Sequence, residues 1–131
     1  MLEVQSPLTH DVERLIYDTI GCCIRVHREL GPGLLERIYV NALCVELAIS
    51  AIPFEREKRY PVLYRGEVIA EQYLDLVLRS QVVLEIKAVD ELAPLHHKQI
   101  LNYMRIARLR AGLLVNFNVA ILPDGLSRKV L

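Results

Sequence analysis

Between residues 11 and 30 the apolar positions Val12, Leu15, Ile16, Ile20, Ile24 and Val26 recur at the three- and four-residue steps of a helix with one buried face. Thr9 or Asp11 stands where a side-chain oxygen caps a first turn. Gly31-Pro32-Gly33 ends the segment, because glycine supplies unusual backbone angles and proline cannot continue the ladder. A second helix is predicted from about residue 34 to residue 48, with Leu35, Ile38, Ala42, Leu43 and Leu47 as its core stripe. Pro53 then breaks the chain.

The period changes after Pro53. Residues 55–64 alternate charge with Tyr60, Val62 and Tyr64, and Arg65-Gly66 reads as a turn into a second strand near residues 68–78. A third strand is predicted over residues 81–89. Its run of Val82, Val83, Leu84 and Ile86 suits a central strand covered on both faces. Residues 96–108 return to a helical pattern through Ile100, Leu101, Met104 and Ile106, and residues 112–117 form another buried strand. Asp124-Gly125 turns the chain toward a short last strand at residues 129–131. The order is helix, helix, three strands, helix, strand, strand, an α/β layout with a mixed sheet flanked by helices.

A length of 131 residues suits one domain with one core, and 53% hydrophobic against 24% charged residues excludes a disordered chain. So apolar a small chain either covers its sheet on both faces or meets a partner, which motivates a homodimer. No apolar run approaches the roughly 18–20 residues of a membrane span. Acids near the start replace the basic and apolar regions of a signal peptide, so a cytoplasmic protein is expected. Cys22, Cys23 and Cys44 form neither a disulfide framework nor a metal-binding pair, and read as buried helical thiols. Sixteen basic residues balance sixteen acids, which denies the chain a global nucleic-acid footprint. Its tail differs: Lys98, Arg105, Arg108, Arg110, Arg128 and Lys129 follow His96 against Asp124 alone. That bias fits a phosphate-facing side or a solvated helix face.

The chemistry resides in three acids and a lysine. Glu85 and Lys87, two apart on a predicted strand, project from one face. Asp75 lies on the preceding strand, where hairpin pairing brings it alongside Glu85. Both acids sit among apolar neighbours, and a buried carboxylate needs a counter-ion, for which a divalent metal serves well. Hard Mg²⁺ takes oxygen ligands and commonly uses a few carboxylates, water and a substrate phosphate. A lysine beside it orients water or offsets charge on the phosphoryl oxygens. The plainer reading is a surface pair of Glu85 and Lys87. Gln99 and Tyr103, four apart, share a face of the following helix, and Glu36 and Tyr39 lie on the helix before the sheet.

The string Gly33-Leu34-Leu35-Glu36-Arg37-Ile38-Tyr39 resembles the motif of the GxxExxY protein family, assigned to the PD-(D/E)xK nuclease superfamily. The resemblance extends through Asp75-Leu76-Val77, Glu85-Ile86-Lys87-Ala88, Gln99-Ile100-Leu101-Asn102-Tyr103 and residues 112–118, over roughly residues 11–131. It implies a restriction-endonuclease-like core with a central mixed sheet in αβββαβ order. It also implies that Glu36, Asp75 and Glu85, with the main-chain carbonyl of Ile86, bind Mg²⁺ or Mn²⁺, and that Lys87 is the catalytic lysine. Gln99 and Tyr103 look like the QxxxY element of RecB-like nucleases, close to metal and substrate. Leu74 replaces the proline of the superfamily's name, and the iron–sulfur cysteines of some relatives are missing.

Two functions follow as expectations. One is a metal-dependent nuclease acting on DNA. The other is a module that keeps the nuclease fold but only binds nucleic acid or protein, which zero net charge and small size favour. The histidines carry plainer expectations: His27 and Arg28 at a helix end, and His96 and His97 at a helix start beside Asp90 and Glu91.

Overall fold

The computed structural model describes residues 6–131, so residues 1–5, on which the reading of the chain's start partly rests, lie outside it. Helix α1 (His10–Leu30) opens under Thr9, whose hydroxyl accepts the Val12 N–H at 3.3 Å. Helix α2 (Glu36–Ile49) follows, then strands β1 (Phe54–Tyr64), β2 (Glu67–Leu78) and β3 (Val82–Lys87). Helix α3 (Pro94–Ala107) crosses to β4 (Ala111–Asn116), and a 3₁₀ turn (Leu122–Gly125) leads into β5 (Leu126–Val130). The five strands lie side by side in chain order. Neighbours are antiparallel except β3 and β4, which α3 connects in parallel.

Helices cover both faces of the sheet's centre. Val82, Leu84, Ile86, Leu113 and Val115 pack against Leu15, Ile16, Cys23, Val26, Leu43 and Leu47 of α1 and α2. On the other face Leu74, Val77, Val83 and Leu114 meet Ile100 and Met104 of α3. This double coverage explains the unbroken apolar run of β3, as its sequence predicts. Cys22 and Cys23 are buried and Cys44 half-buried, all three as free thiols.

Helix α2 starts later than expected. Gly31 and Gly33 take positive φ of 66° and 98°, so the Gly31–Leu35 segment is a turn and the helix begins at Glu36. Leu35 consequently falls outside the core stripe and is 64% exposed, and Ile38 lies at the surface. Tyr39, Val40, Leu43 and Leu47 form the buried face instead. Strand β3 ends at Lys87 rather than at residue 89, and α3 begins at Pro94 rather than at residue 96. The last strand starts at Leu126, because Asp124 and Gly125 belong to the 3₁₀ turn.

Several polar side chains have structural partners. His27 donates from Nε2 to the Val119 carbonyl at 2.7 Å, and His96 Nδ1 accepts the Ala93 N–H at 3.0 Å to cap α3. The basic tail residues scatter: Arg128 pairs with Glu13 of α1, and Arg110 binds the Leu131 carbonyl. No described helix is long and apolar enough to cross a membrane.

Candidate metal and active centre

The centre is built where β2 and β3 part. Their register ends at Leu76↔Leu84, one step short of Asp75 and Glu85. Beyond it, side chains take over the pairing. The Asp75 N–H donates to Glu85 Oε1 at 3.1 Å, and the Ile86 N–H donates to Asp75 Oδ2 at 2.9 Å. Across the other edge of β2 the ladder with β1 runs Arg56↔Leu76 and then Lys58↔Leu74, passing over Glu57, whose φ is 52°. The side-chain alternation of β2 changes phase at this point: Leu76 packs toward α1 and α2, whereas Leu74 and Val77 both pack toward α3. Such local irregularity re-aims a side chain out of the sheet.

The turn before α2 delivers Glu36. The buried Tyr39 hydroxyl donates to the Gly31 carbonyl at 2.6 Å and accepts the Leu34 N–H at 3.1 Å. Its ring stacks on Phe117, the centroids 4.7 Å apart. Gly33, at φ 98°, holds an angle that L-residues adopt only under strain. The glycine and the tyrosine of the Gly33–Tyr39 string therefore shape the turn that places Glu36 at the start of α2. Glu36 and Asp75 line one cavity of about 240 Å³ with Arg37, Val40, Arg56 and Glu57.

Lys87 ends β3 opposite Asn116. The Asn116 side chain, 2% exposed, accepts the Val89 N–H at 3.0 Å and donates to the Val89 carbonyl at 2.8 Å. The Phe117 N–H adds a bond to the Lys87 carbonyl. This clamp fixes the chain just beyond Lys87. On α3, Gln99 and Tyr103 share a face, as their spacing predicts, and line a groove of about 440 Å³ with Gln72 of β2. Sequence reasoning missed Arg37, Arg56, Gln72 and Asn116. Only Arg37 carried a signal, by adjoining Glu36; the other three became neighbours through strand pairing and crossover.

Charge accumulates at the centre. Burial pushes the Glu85 carboxyl up to about 9, and the Asp75 charge adds to that, with Lys87 opposing. Glu36 is raised by desolvation and by Asp75, again against Lys87. The Tyr103 phenol is raised by desolvation and by the charges of Glu85 and Asp75, so it keeps its proton. Among the described residues no group of three His, Cys, Asp or Glu side chains stands close enough to hold a metal ion as placed. The donor set fits a hard cation nonetheless. Glu85 and Asp75 each commit one oxygen to a main-chain N–H, which leaves Oε2 and Oδ1 outside those bonds, and a buried carboxylate without a counter-cation favours one.

A mixed five-stranded sheet with helices on both faces, carrying acids at the fork of two central strands, defines a restriction-endonuclease-like α/β fold. Residues 13–129 match the PD-(D/E)XK nuclease superfamily, and the chain belongs to it. No curated protein and no solved structure matches the chain.

Two outcomes are expected from this geometry. Tyr39→Phe removes the hydroxyl that ties the turn, and urea unfolding is expected to show a loss of about 1 kcal/mol, the net worth of a hydrogen bond whose partners water can reach. The second outcome concerns pH in EDTA. Between the unfolded value of about 4.3 and the folded value of about 9, the folded chain holds a proton on Glu85 that the unfolded chain releases. Glu85 protonation therefore favours folding fully below that window, and the gain is lost as pH rises through it. Thermal melts at stepped pH are expected to fall from pH 5 to pH 8, and Glu85→Gln is expected to flatten most of the slope.

Proposed function

We propose that the protein is a metal-dependent nuclease that hydrolyses phosphodiester bonds of DNA. The observation that carries this reading is the reciprocal bonding of Asp75 and Glu85 across the strand fork, with Lys87 two residues beyond on the same strand. Asp75, Glu85, Glu36 and the Ile86 carbonyl would hold Mg²⁺, with Mn²⁺ as a substitute. When bound, such an ion polarises the phosphate, lowers the pKa of the attacking water and stabilises the leaving oxygen.

The chain's own residues supply the rest. Lys87 orients the water and offsets charge developing on the phosphoryl oxygens. The water oxygen bonds to phosphorus as one ester P–O bond breaks, leaving a phosphate on one fragment and a hydroxyl on the other. Tyr103, kept protonated by desolvation and then by its acidic neighbours, is a hydroxyl donor toward the phosphate, and Gln99 steadies the strand beside it. The turn built by Gly33 and Tyr39 around Glu36 supports membership of the GxxExxY group within the superfamily.

We also propose a homodimer. Tyr17, Val45 and Ile49 on α1 and α2, and Leu63, Tyr64, Val68 and Ile69 at the hairpin end, leave large apolar side chains in water. Light scattering at micromolar protein is expected to give twice the 15.0 kDa chain mass; the single-chain mass alone rejects the dimer.

With Mg²⁺ or Mn²⁺ the protein is expected to cut labelled DNA. Asp75→Asn or Lys87→Ala is expected to slow the cut by about 10²-fold or more, as for the loss of a transition-state stabiliser. Unchanged rates in both variants assign the cleavage to a contaminant. If no DNA is cut, the chain keeps the nuclease fold only to bind.

A further inference from the structure

The cavity of about 240 Å³ that holds Glu36 and Asp75 is also lined by two guanidinium side chains, Arg37 and Arg56. They arrive from different elements. Arg37 follows Glu36 in the first turn of α2, and Asn41, four residues on, shares its side of the helix. Arg56 lies on β1 opposite Leu76, whose side chain packs toward α1 and α2. From there its Nη2 donates to Asn41 Oδ1 at 2.6 Å. One amide therefore anchors the Arg56 head a helical turn along α2 from Arg37, and both arginines stay open to solvent.

Their charges are not spent on the acids around them. Arg14, Arg25, Arg59 and Arg128 each bond to an acid, at Asp18, Glu46, Glu71 and Glu13. Among the described residues neither Arg37 nor Arg56 does so, although Glu36, Glu57 and Asp75 line the same cavity. Glu55, next to Arg56 in the chain, is taken by Lys58 at 2.9 Å. The Arg56 partner is a neutral amide, which fixes the guanidinium without cancelling its charge. A guanidinium so held keeps further N–H donors in a planar fork, the geometry that matches two oxygens of a phosphate. When all are ionised, the three carboxylates outweigh the two guanidiniums. A divalent cation reverses that balance, so the arginines attract an anion once the acids are neutralised.

We propose that Arg37 and Arg56 clamp a backbone phosphate beside the one being cut, on the α2 side of the centre, with Asn41 as the residue that positions the clamp. The clamp lies on the face of the sheet opposite α3, so it holds the nucleic acid at a point independent of Gln99 and Tyr103. The proposal takes from the nuclease reading only that the ligand is a nucleic acid.

Fluorescence anisotropy with calcium in place of magnesium tests it, on labelled DNA as single strand and as duplex, over a series of salt concentrations. Arg37→Ala and Arg56→Ala are each expected to weaken binding about tenfold, the scale of one charge-assisted hydrogen bond. Each is also expected to make the logarithmic salt slope shallower by roughly 0.7–0.9, the counterions of one phosphate. Arg56→Lys, which keeps the charge but not the fork, is expected to restore the slope and only part of the affinity. Asn41→Ala is expected to weaken binding less than Arg56→Ala, and to add nothing to it in the double variant. Arg14→Ala removes a guanidinium already paired with Asp18, and as the control is expected to change neither quantity. On a strand with neutral methylphosphonate linkages, wild type and the arginine variants are expected to bind alike. Weaker binding with an unchanged salt slope, equal losses on neutral linkages, or no binding to any charged probe overturns the clamp. Cleavage in Mn²⁺ is scored separately. Shallower slopes without cleavage remove the nuclease reading and keep the clamp, whereas cleavage with unchanged slopes does the reverse.

Discussion

The two hydrogen bonds by which Asp75 and Glu85 bind each other's strands are the constraint on which the rest of the centre depends. For acids on adjacent central strands to reach a substrate, the strands must part. Parting strands leaves main-chain donors without their ladder partners, and a buried, unpaired N–H is costly. The acids themselves satisfy those donors. Each carboxylate is thus half structural and half available, and the Asp75 and Ile86 N–H groups keep partners at the open fork.

Everything else brings side chains to that fork from two directions. Helix α2 brings Glu36 from one face of the sheet, at an angle set by the Tyr39 hydroxyl and its stack on Phe117. Helix α3 brings Tyr103 from the other face. Its approach depends on Gly112 of β4, where an added Cβ would stand 2.6 Å from the Met104 sulfur. Lys87 enters between them at the end of β3, held by the Asn116 clamp on Val89. Lys87 opposes the desolvation and the Asp75 charge that raise Glu36 and Glu85, which is the electrostatic condition a divalent cation relieves.

Much of this was legible in the sequence, and the failures have physical causes. Helical and strand periods placed every main element, and Arg65-Gly66 marked the hairpin turn, where both residues do take positive φ. Asp75 and Glu85 stood out because acids among branched apolar neighbours require an explanation. The start of α2 was misplaced because Leu34 and Leu35 extend the apolar stripe, while the backbone there obeys glycine torsions and the distant Tyr39 hydroxyl. The phase change in β2 is equally invisible, since Leu74, Leu76 and Val77 are alike in hydropathy and differ only in which helix meets them. Arg56 read as part of an alternating charged strand. Its place beside Asp75 and Glu36 emerges only once β1 pairs with β2 and α2 packs across them.

The parallel pairing of β3 with β4 through α3 has a consequence for the order of folding. The β1–β2 hairpin closes a short loop and forms on the timescale of local contacts, whereas the crossover must first meet the entropy of a longer closure. Asp75 and Lys87 sit on strands that a short turn joins, whereas Glu36 on α2 and Tyr103 on α3 reach them only through packing on opposite faces of the sheet. A nascent or half-collapsed chain holds the same residues scattered along a coil, with no centre among them. Any reactivity the assembled acids acquire therefore begins only when the last long-range contacts close, and ends with the first that open.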